Sequence, residues 1–286
     1  MRRRAETSPF SGATVVVTGA SSGLGASLAE ALTAAGANPV LFARSKEGLT
    51  AVAERCRQRG GEPLVVIGDV TVQENCEELI SRAIERFGRV DILVACAGVG
   101  LWAPFDELRD PAIVRRVMEV NYCGVVNPFF YALPHIKKSR GMLVAISSVQ
   151  GKFGVPYHTG YAASKHAVQG FCDSLRMELQ GTGVDVLTVM AHWIRGTRLR
   201  ERALGKDGAP RGKGAPAHGS GAVPVEEMTE AIMEAIRKRK RVVFVPAWLR
   251  FLSLLSELAP SVADRLIARR VEREASRQAD ENDHHS

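Results

Sequence analysis

No Cys-x-x-Cys pair occurs in this 286-residue chain, and its five cysteines (Cys56, Cys76, Cys96, Cys123 and Cys172) are scattered and odd in number. That excludes a disulfide framework or a zinc module as the organising device. The thiols are expected to stay reduced in a cytoplasmic setting, with no metal bound. No run approaches the ~20 apolar residues of a membrane-spanning helix. The basic opening Met1-Arg2-Arg3-Arg4 lacks the apolar stretch of a secretory leader, so none is expected. Zinc-finger spacings and the aromatic-basic pattern of RNA-binding modules are also missing. The net charge of +7 gathers in local clusters, at residues 2–4, 195–213 and 237–241, so no nucleic-acid partner is expected. There is no internal repeat and no clear interdomain linker, which leaves one domain as the reading.

What is present is a rhythm of short apolar runs and helical periods. Residues 13–18, 39–43, 64–67, 92–95, 142–146, 184–189 and 242–245 are β-branched or apolar and too short for helices, as buried strands are. Between them, Val72, Cys76, Leu79, Ile80, Ala83, Ile84 and Phe87 recur at threes and fours, and so do Val225, Met228, Ala231, Ile232, Ala235 and Ile236. Continuous apolar strands alternating with amphipathic helices predict an α/β fold: a doubly wound, parallel, seven-stranded, Rossmann-like sheet. Its ligand is then expected at the carboxyl ends of the strands. Residues 205–224, rich in Gly, Ala, Pro and Lys, read as a mobile loop.

Directly after the first strand comes Thr18-Gly19-Ala20-Ser21-Ser22-Gly23-Leu24-Gly25, followed by an Ala-rich helix. Glycines there let backbone N–H groups approach a pyrophosphate at the helix N-terminus. The second strand ends in Ala43-Arg44. An NAD-preferring site places an acidic residue at that point to hold the ribose hydroxyls. Arg44 offers a forked guanidinium suited to a 2′-phosphate, so NADP(H) is the expected cofactor.

Tyr161 and Lys165 are four residues apart on a predicted helix running to about Leu179, which sets them one turn apart on one face. An ammonium beside a phenol favours the phenolate, so the pair is expected to tune Tyr161 from ~10 towards neutrality. Such a tyrosine can give a proton to a carbonyl oxygen or take one from an alcohol. Ser148, thirteen residues upstream at the end of a strand, is placed to hydrogen-bond the same oxygen.

Taken together, Gly19, Gly23, Gly25, Asp69, Asn121, Ser148, Tyr161 and Lys165 strongly resemble the short-chain dehydrogenase/reductase family, in the correct order over residues 12–200. The resemblance implies an oxidoreductase with Asn121, Ser148, Tyr161 and Lys165 as its catalytic tetrad. Tyr161 would be the general acid and base. Lys165 would hold the nicotinamide ribose and lower the tyrosine pKa, and Ser148 would polarise the substrate oxygen. Asn121 would support a water-linked proton relay. It also implies NADP(H) contacts from Gly19, Ser21, Ser22, Gly23, Leu24, Gly25 and Arg44, then from Asp69, Val70, Ala97, Gly98, Lys165 and Ile194. Ser148, Tyr161 and Trp193 would meet the substrate. The domain would span residues 12–246, with a helical extension at 247–279 and flexible termini at 1–11 and 280–286. Family members commonly form dimers or tetramers through the helices that here carry Asn121 and Tyr161.

The chain departs from the family pattern in two places. Asn-Asn-Ala-Gly after the fourth strand is here Ala95-Cys96-Ala97-Gly98, and the segment after the sixth strand reads Ala191-His192-Trp193-Ile194-Arg195-Gly196-Thr197, with the threonine one position late. Within the family, the surroundings of Ser148 and Tyr161 look most like hydroxysteroid dehydrogenase-type and ketosphinganine reductase-type members. That implies a lipophilic carbonyl or secondary alcohol such as a steroid, sphingoid or other lipid-like ketone. Residues 193–224 would form a lid over the substrate, with Trp102 and residues 153–157 as apolar walls. Residues 248–258 are strongly apolar, with a basic cluster on each side, and can either lie in a membrane interface within a contact at 247–270 or dock on the core or a second subunit. The alternative function is an NADP(H)-sensing binding protein with an idle active site.

Overall fold

The computed structural model describes residues 9–212 and 221–283. Part of the expected flexible termini, the basic cluster at residues 2–4 and the middle of the predicted 205–224 loop lie outside the described residues. Among the described residues nine strands and nine α-helices follow in chain order. They are β1 Thr14–Thr18, α1 Gly23–Ala34, β2 Asn38–Ala43, α2 Lys46–Gln58, β3 Leu64–Ile67, α3 Gln73–Phe87, β4 Ile92–Ala95, α4 Ala112–Met118 and α5 Gly124–Ser139. Then come β5 Met142–Ser148, α6 Thr159–Glu178, β6 Asp185–Ala191, β7 Ile194–Arg195, β8 Val223–Pro224, α7 Val225–Arg237, β9 Val242–Val245, α8 Leu249–Leu258 and α9 Pro260–Asp283. The seven predicted strands all form, with ends shifted by a residue or two.

Seven strands pair in the order β3-β2-β1-β4-β5-β6-β9, every neighbouring pair parallel. The central strands read as unbroken apolar runs because both faces are covered. On one face Leu28 and Leu32 of α1, Leu49 and Val52 of α2, and Met228 and Ile232 of α7 share a core with Val15 and Val17. On the other, Leu79 of α3, Phe129 and Ile136 of α5, and Val168 and Cys172 of α6 pack with Val16 and Leu93. At roughly 1.5–3 kcal/mol per fully buried large apolar side chain, these two layers are the main source of stability.

Strand order reverses between β1 and β4. The helices that follow them leave in opposite directions, and a crevice opens at the carboxyl ends of the strands. The residues expected to carry chemistry all lie at that edge. Beyond β9, α8 and α9 fold back on it: Leu249, Ala263 and Ile267 bury against Val149, Phe153 and Met190. The docked-on-the-core alternative for this segment is therefore one face of the answer. The other face leaves Phe251, Leu254, Leu258, Val262 and Leu266 exposed. Among the described residues no helix is long and apolar enough to cross a membrane.

Candidate active site

The loop between β1 and α1 turns through Gly19 at φ +67°, where a side chain would lie 2.9 Å from the Ala97 backbone. At Gly25 a Cβ would meet the Gly19 carbonyl oxygen at 2.4 Å. Only glycine fits either position, and the result is a bare backbone surface. Ser22, the N-cap residue of α1, makes no side-chain cap, and the first turn carries no acidic residue. A phosphate fits this helix N-terminus, which neither a side-chain cap nor a carboxylate occupies. Thr18, which the motif reading passed over, braces the loop from below. Its Oγ1 accepts from the Cys96 and Ala97 N–H groups at 3.1 and 3.2 Å, tying the end of β4 to β1.

Arg44 stands exposed just past β2, 3.7 Å from the Asp69 carboxylate. An ion pair that long and that solvated holds little energy, so the guanidinium can turn to another anion. Asp69 is fixed more firmly, its Oδ1 accepting from Thr71 N at 3.0 Å and Thr71 Oγ1 at 2.9 Å. Val70 is buried, and its carbonyl accepts from Asn127 Nδ2 at 2.9 Å.

Ser148 ends β5, and Tyr161 and Lys165 stand near the start of α6, the helix that packs along that strand. Ser148 is near enough to the Tyr161 hydroxyl to pull its pKa down. Ser148 Oγ accepts from Gln150 N at 3.2 Å and donates to the Ala191 carbonyl at 3.3 Å, a long bond that is easily exchanged. Lys165 is buried, its Nζ donating to Ile146 O at 3.0 Å and standing 5.6 Å from the Tyr161 ring centre. Burial depresses the Lys165 ammonium to about 8, opposed by nearby Cys96. The expected tuning of Tyr161 towards neutrality is not found. Burial pushes the phenol up to about 12, and only Ser148 pulls it back. Desolvation of the phenolate outweighs an ammonium that lies beside the ring, itself part-neutralised by burial.

Asn121 sits in a π-turn, Glu119–Cys123, between α4 and α5. Its amide is wholly engaged: Oδ1 accepts from Val99 N at 2.8 Å, while Nδ2 donates to Val99 O at 2.9 Å and Ser164 Oγ at 3.0 Å. The side chain thus pins the loop that follows β4 to α6, and Gly98 lies between Asn121 and Lys165. Ser164, inside the Tyr161–Lys165 interval, was legible in the sequence but was not singled out.

The substrate side is walled by rings. Trp193 lies 6.0 Å from Trp102 and 5.4 Å from His158, and His158 lies 6.3 Å from the Tyr161 ring. The Arg200 guanidinium stands 4.5 Å from Trp193 and 5.0 Å from Trp102, which Arg211 also approaches at 5.0 Å. His158 Nδ1 is 2.8 Å from the Pro156 carbonyl, and burial lowers the ring to about 4, with Arg200 and Arg211 pushing the same way. The ring is therefore neutral, with its proton on Nδ1. Of the other expected wall, Phe153 turns away into the cluster beneath α8 and α9.

The model of the short chain dehydrogenase family matches residues 13–206. The chain belongs to the short-chain dehydrogenase/reductase family. An 11-beta-hydroxysteroid dehydrogenase of Pinus massoniana is 33% identical over 258 residues, 88% of this chain and 72% of its own. The dehydrogenase/reductase SDR family member 7B of Rattus norvegicus is 36% identical over 273 residues, 92% of this chain and 82% of its own. Among solved structures, the alcohol dehydrogenase of the archaeon Thermococcus sibiricus, complexed with 5-hydroxy-NADP, superposes with a TM-score of 0.69 at 26% identity. It covers 81% of this chain and 95% of its own. As a short-chain dehydrogenase, the protein is an oxidoreductase of alcohols that uses a nicotinamide cofactor.

Seen as a short-chain dehydrogenase, the chain absorbs both of its departures. Thr18 supplies a tie to the Cys96 backbone even though the usual asparagines are missing. Thr197, one position late in sequence, still reaches the glycine loop, and its Cβ and Cγ2 would lie 3.3 Å from a side chain added at Gly23. Its Oγ1 donates to Ile194 O at 3.1 Å, which closes the turn that directly follows β7.

Proposed function

We propose that the protein is an NADP(H)-dependent reductase or dehydrogenase of a lipophilic carbonyl or secondary alcohol. The observation that carries this reading is the convergence of Ser148, Tyr161 and Lys165 on one side of a glycine loop that only a bare backbone can form. When bound, the nicotinamide supplies or accepts the hydride. Tyr161 Oη delivers a proton to the carbonyl oxygen in reduction and removes it from the alcohol in oxidation. Ser148 Oγ gives up its long bond to Ala191 O and donates to that same oxygen. Lys165, held on Ile146 O, orients the ribose and supplies positive charge beside the phenol. Asn121 positions the loop that carries Ala97 and Gly98. Gly19, Ser21, Ser22, Gly23, Leu24 and Gly25 receive the pyrophosphate, Asp69 and Val70 the adenine side, and Ile194 the carboxamide.

Arg44, in place of an acidic residue, supports NADP(H) over NAD(H). The Trp102–Trp193–His158 wall supports an apolar substrate, with Trp193 in contact. Exposed Phe130 on α5 and Met177 on α6 support a homodimer or homotetramer through those helices. The exposed stripe on α8 and α9, with Arg250, Arg265 and Arg269 nearby, supports peripheral contact with an anionic lipid surface. The high pKa of Tyr161 is the one observation on the side of a cofactor sensor with an idle site.

Calorimetric titration with NADPH and NADH, followed by assay against ketosteroids, ketosphinganine and aromatic ketones, tests the proposal. Tighter NADPH binding, and turnover that disappears in Tyr161→Phe while binding persists, is the expected result. NADPH binding with no turnover of any ketone would shift the reading to the sensor. Binding of neither nucleotide would overturn both.

A further inference from the structure

The lid reaches past the substrate pocket to the cofactor loop. After β7 the chain folds back so that Thr197 packs on Gly23, and Arg202 N donates to Arg198 O at 3.0 Å, closing a turn. From that turn, Arg202 NH1 donates to Ser22 Oγ at 3.3 Å, joining positions 180 residues apart in sequence. A long, exposed bond to a neutral hydroxyl contributes little and neutralises nothing. Yet the guanidinium is set among its own kind. Desolvation, then the like charges of Arg198 and Arg44, hold Arg202 below its ordinary pKa, with Glu201 alone opposing. Arg44 leans on Asp69 from 3.7 Å, a weak tie. Three guanidinium groups therefore gather where Ser22 begins α1, and what completes such a cluster is a multiply charged anion.

We propose that Arg202 is a lid-borne ligand of the 2′-phosphate of NADP(H), working with Arg44, so that the phosphate fastens the lid over the substrate. The assignment rests on the NADP(H) reading above and adds a residue that the glycine and β2 motifs do not contain. In the bound state, Arg202 exchanges the Ser22 hydroxyl for phosphate oxygens, a charge-assisted and forked contact. Because Arg202 belongs to the segment that carries Trp193 and Arg200, cofactor selection and closure over the substrate become one event.

Calorimetry with NADPH and NADH on wild type, Arg202→Gln and Arg202→Lys tests this. Arg202→Gln is expected to weaken NADPH roughly 10- to 100-fold, as loss of a hydrogen-bonded charge does. NADH should stay within about twofold, and Arg202→Lys should recover part of the loss. A second readout is trypsin cleavage in the arginine-rich stretch 195–212, which NADPH should slow in wild type but not in Arg202→Gln. Equal losses for NADPH and NADH would overturn the 2′-phosphate assignment in favour of the pyrophosphate. Unchanged NADPH affinity in Arg202→Gln would overturn it outright. A wild type that fails to prefer NADPH over NADH would instead sink the underlying cofactor reading, and that arm is read before any variant is made.

Discussion

Lys165 and Trp193 stand on two different kinds of scaffold. Lys165 stands in a 20-residue helix packed along β5, with its ammonium on a backbone carbonyl and Asn121, Ser164 and Val99 locked together nearby. Trp193 begins a stretch that, among the described residues, pairs through the two-residue β7–β8 ladder and the isolated bridges of Leu204 to Leu101 and Pro210, while rings and a guanidinium pack against the indole itself. Hydrogen bonds to backbone are directional and fix an atom to within tenths of an ångström. Stacked rings tolerate sliding. The half that moves a proton is thus rigid, and the half that must admit a substrate is built from contacts that can re-form.

The comparison breaks first at the tyrosine. Tyr161→Phe should cut kcat about 10³-fold or more, within the range of lost general acid–base catalysis, with NADPH affinity unchanged by calorimetry. A comparable loss in Trp193→Leu would mean that the lid also does chemistry, which the contrast forbids.

Next come two pH windows, one for each half. Burial lowers Lys165 from 10.5 to about 8, so between those values the unfolded chain holds a proton that the folded chain has released. Lys165 should therefore raise stability with pH by about 3 kcal/mol at most, visible as a net rise between about pH 8 and 9, because the buried thiols of Cys76, Cys96 and Cys172, raised from 9.0 to about 12, oppose it from 9 and Tyr161 opposes it from 10. His158, lowered from 6.5 to about 4, gives a similar rise between pH 4 and 6.5 on the lid side. Urea unfolding across pH should show both slopes. Lys165→Met should flatten only the alkaline one and His158→Gln only the acidic one.

Smaller again is the docking of the tail. Leu249→Ala should cost about 2 kcal/mol, in the range of large-to-small core changes, and free α8 and α9 to hydrogen exchange before the sheet. Last, Phe251→Ser, on the exposed face, should change stability by less than about 0.5 kcal/mol. It should also reduce binding to vesicles of anionic lipid. Unaltered vesicle binding would remove the case for a membrane face.

The two halves were also unequally legible. Strands such as residues 64–67, 92–95 and 242–245 were readable to the residue because each is an unbroken apolar run too short for a helix, even though only 92–95 is buried along its whole length. The positions of Gly19, Gly25, Ser148 and Lys165 followed from spacing, since each belongs to a local motif. The lid did not follow. Nothing in its sequence says that Arg200 stacks between Trp102 and Trp193, or that Arg202 reaches Ser22, because those contacts join segments about 100 to 180 residues apart. The same holds for Phe153, whose burial under α8 and α9 depends on a tail that local pattern could only describe as apolar. The Tyr161 pKa failed for a related reason: spacing gives proximity, but desolvation depends on what the rest of the chain puts around the ring.

The arrangement of the rim has a practical side. The chain contains three tryptophans, and Trp102, Trp193 and Trp248 all lie within one chain of ring contacts through His158 and His192. The sheet and its two helical layers contain none. Intrinsic tryptophan emission from this protein is consequently weighted towards the rim of the site, where the loop after β4, the lid and the start of α8 each contribute one indole. A melting curve followed by that emission would run ahead of circular dichroism on the same sample if the mouth loosens before the body, and would coincide with it if the two melt together.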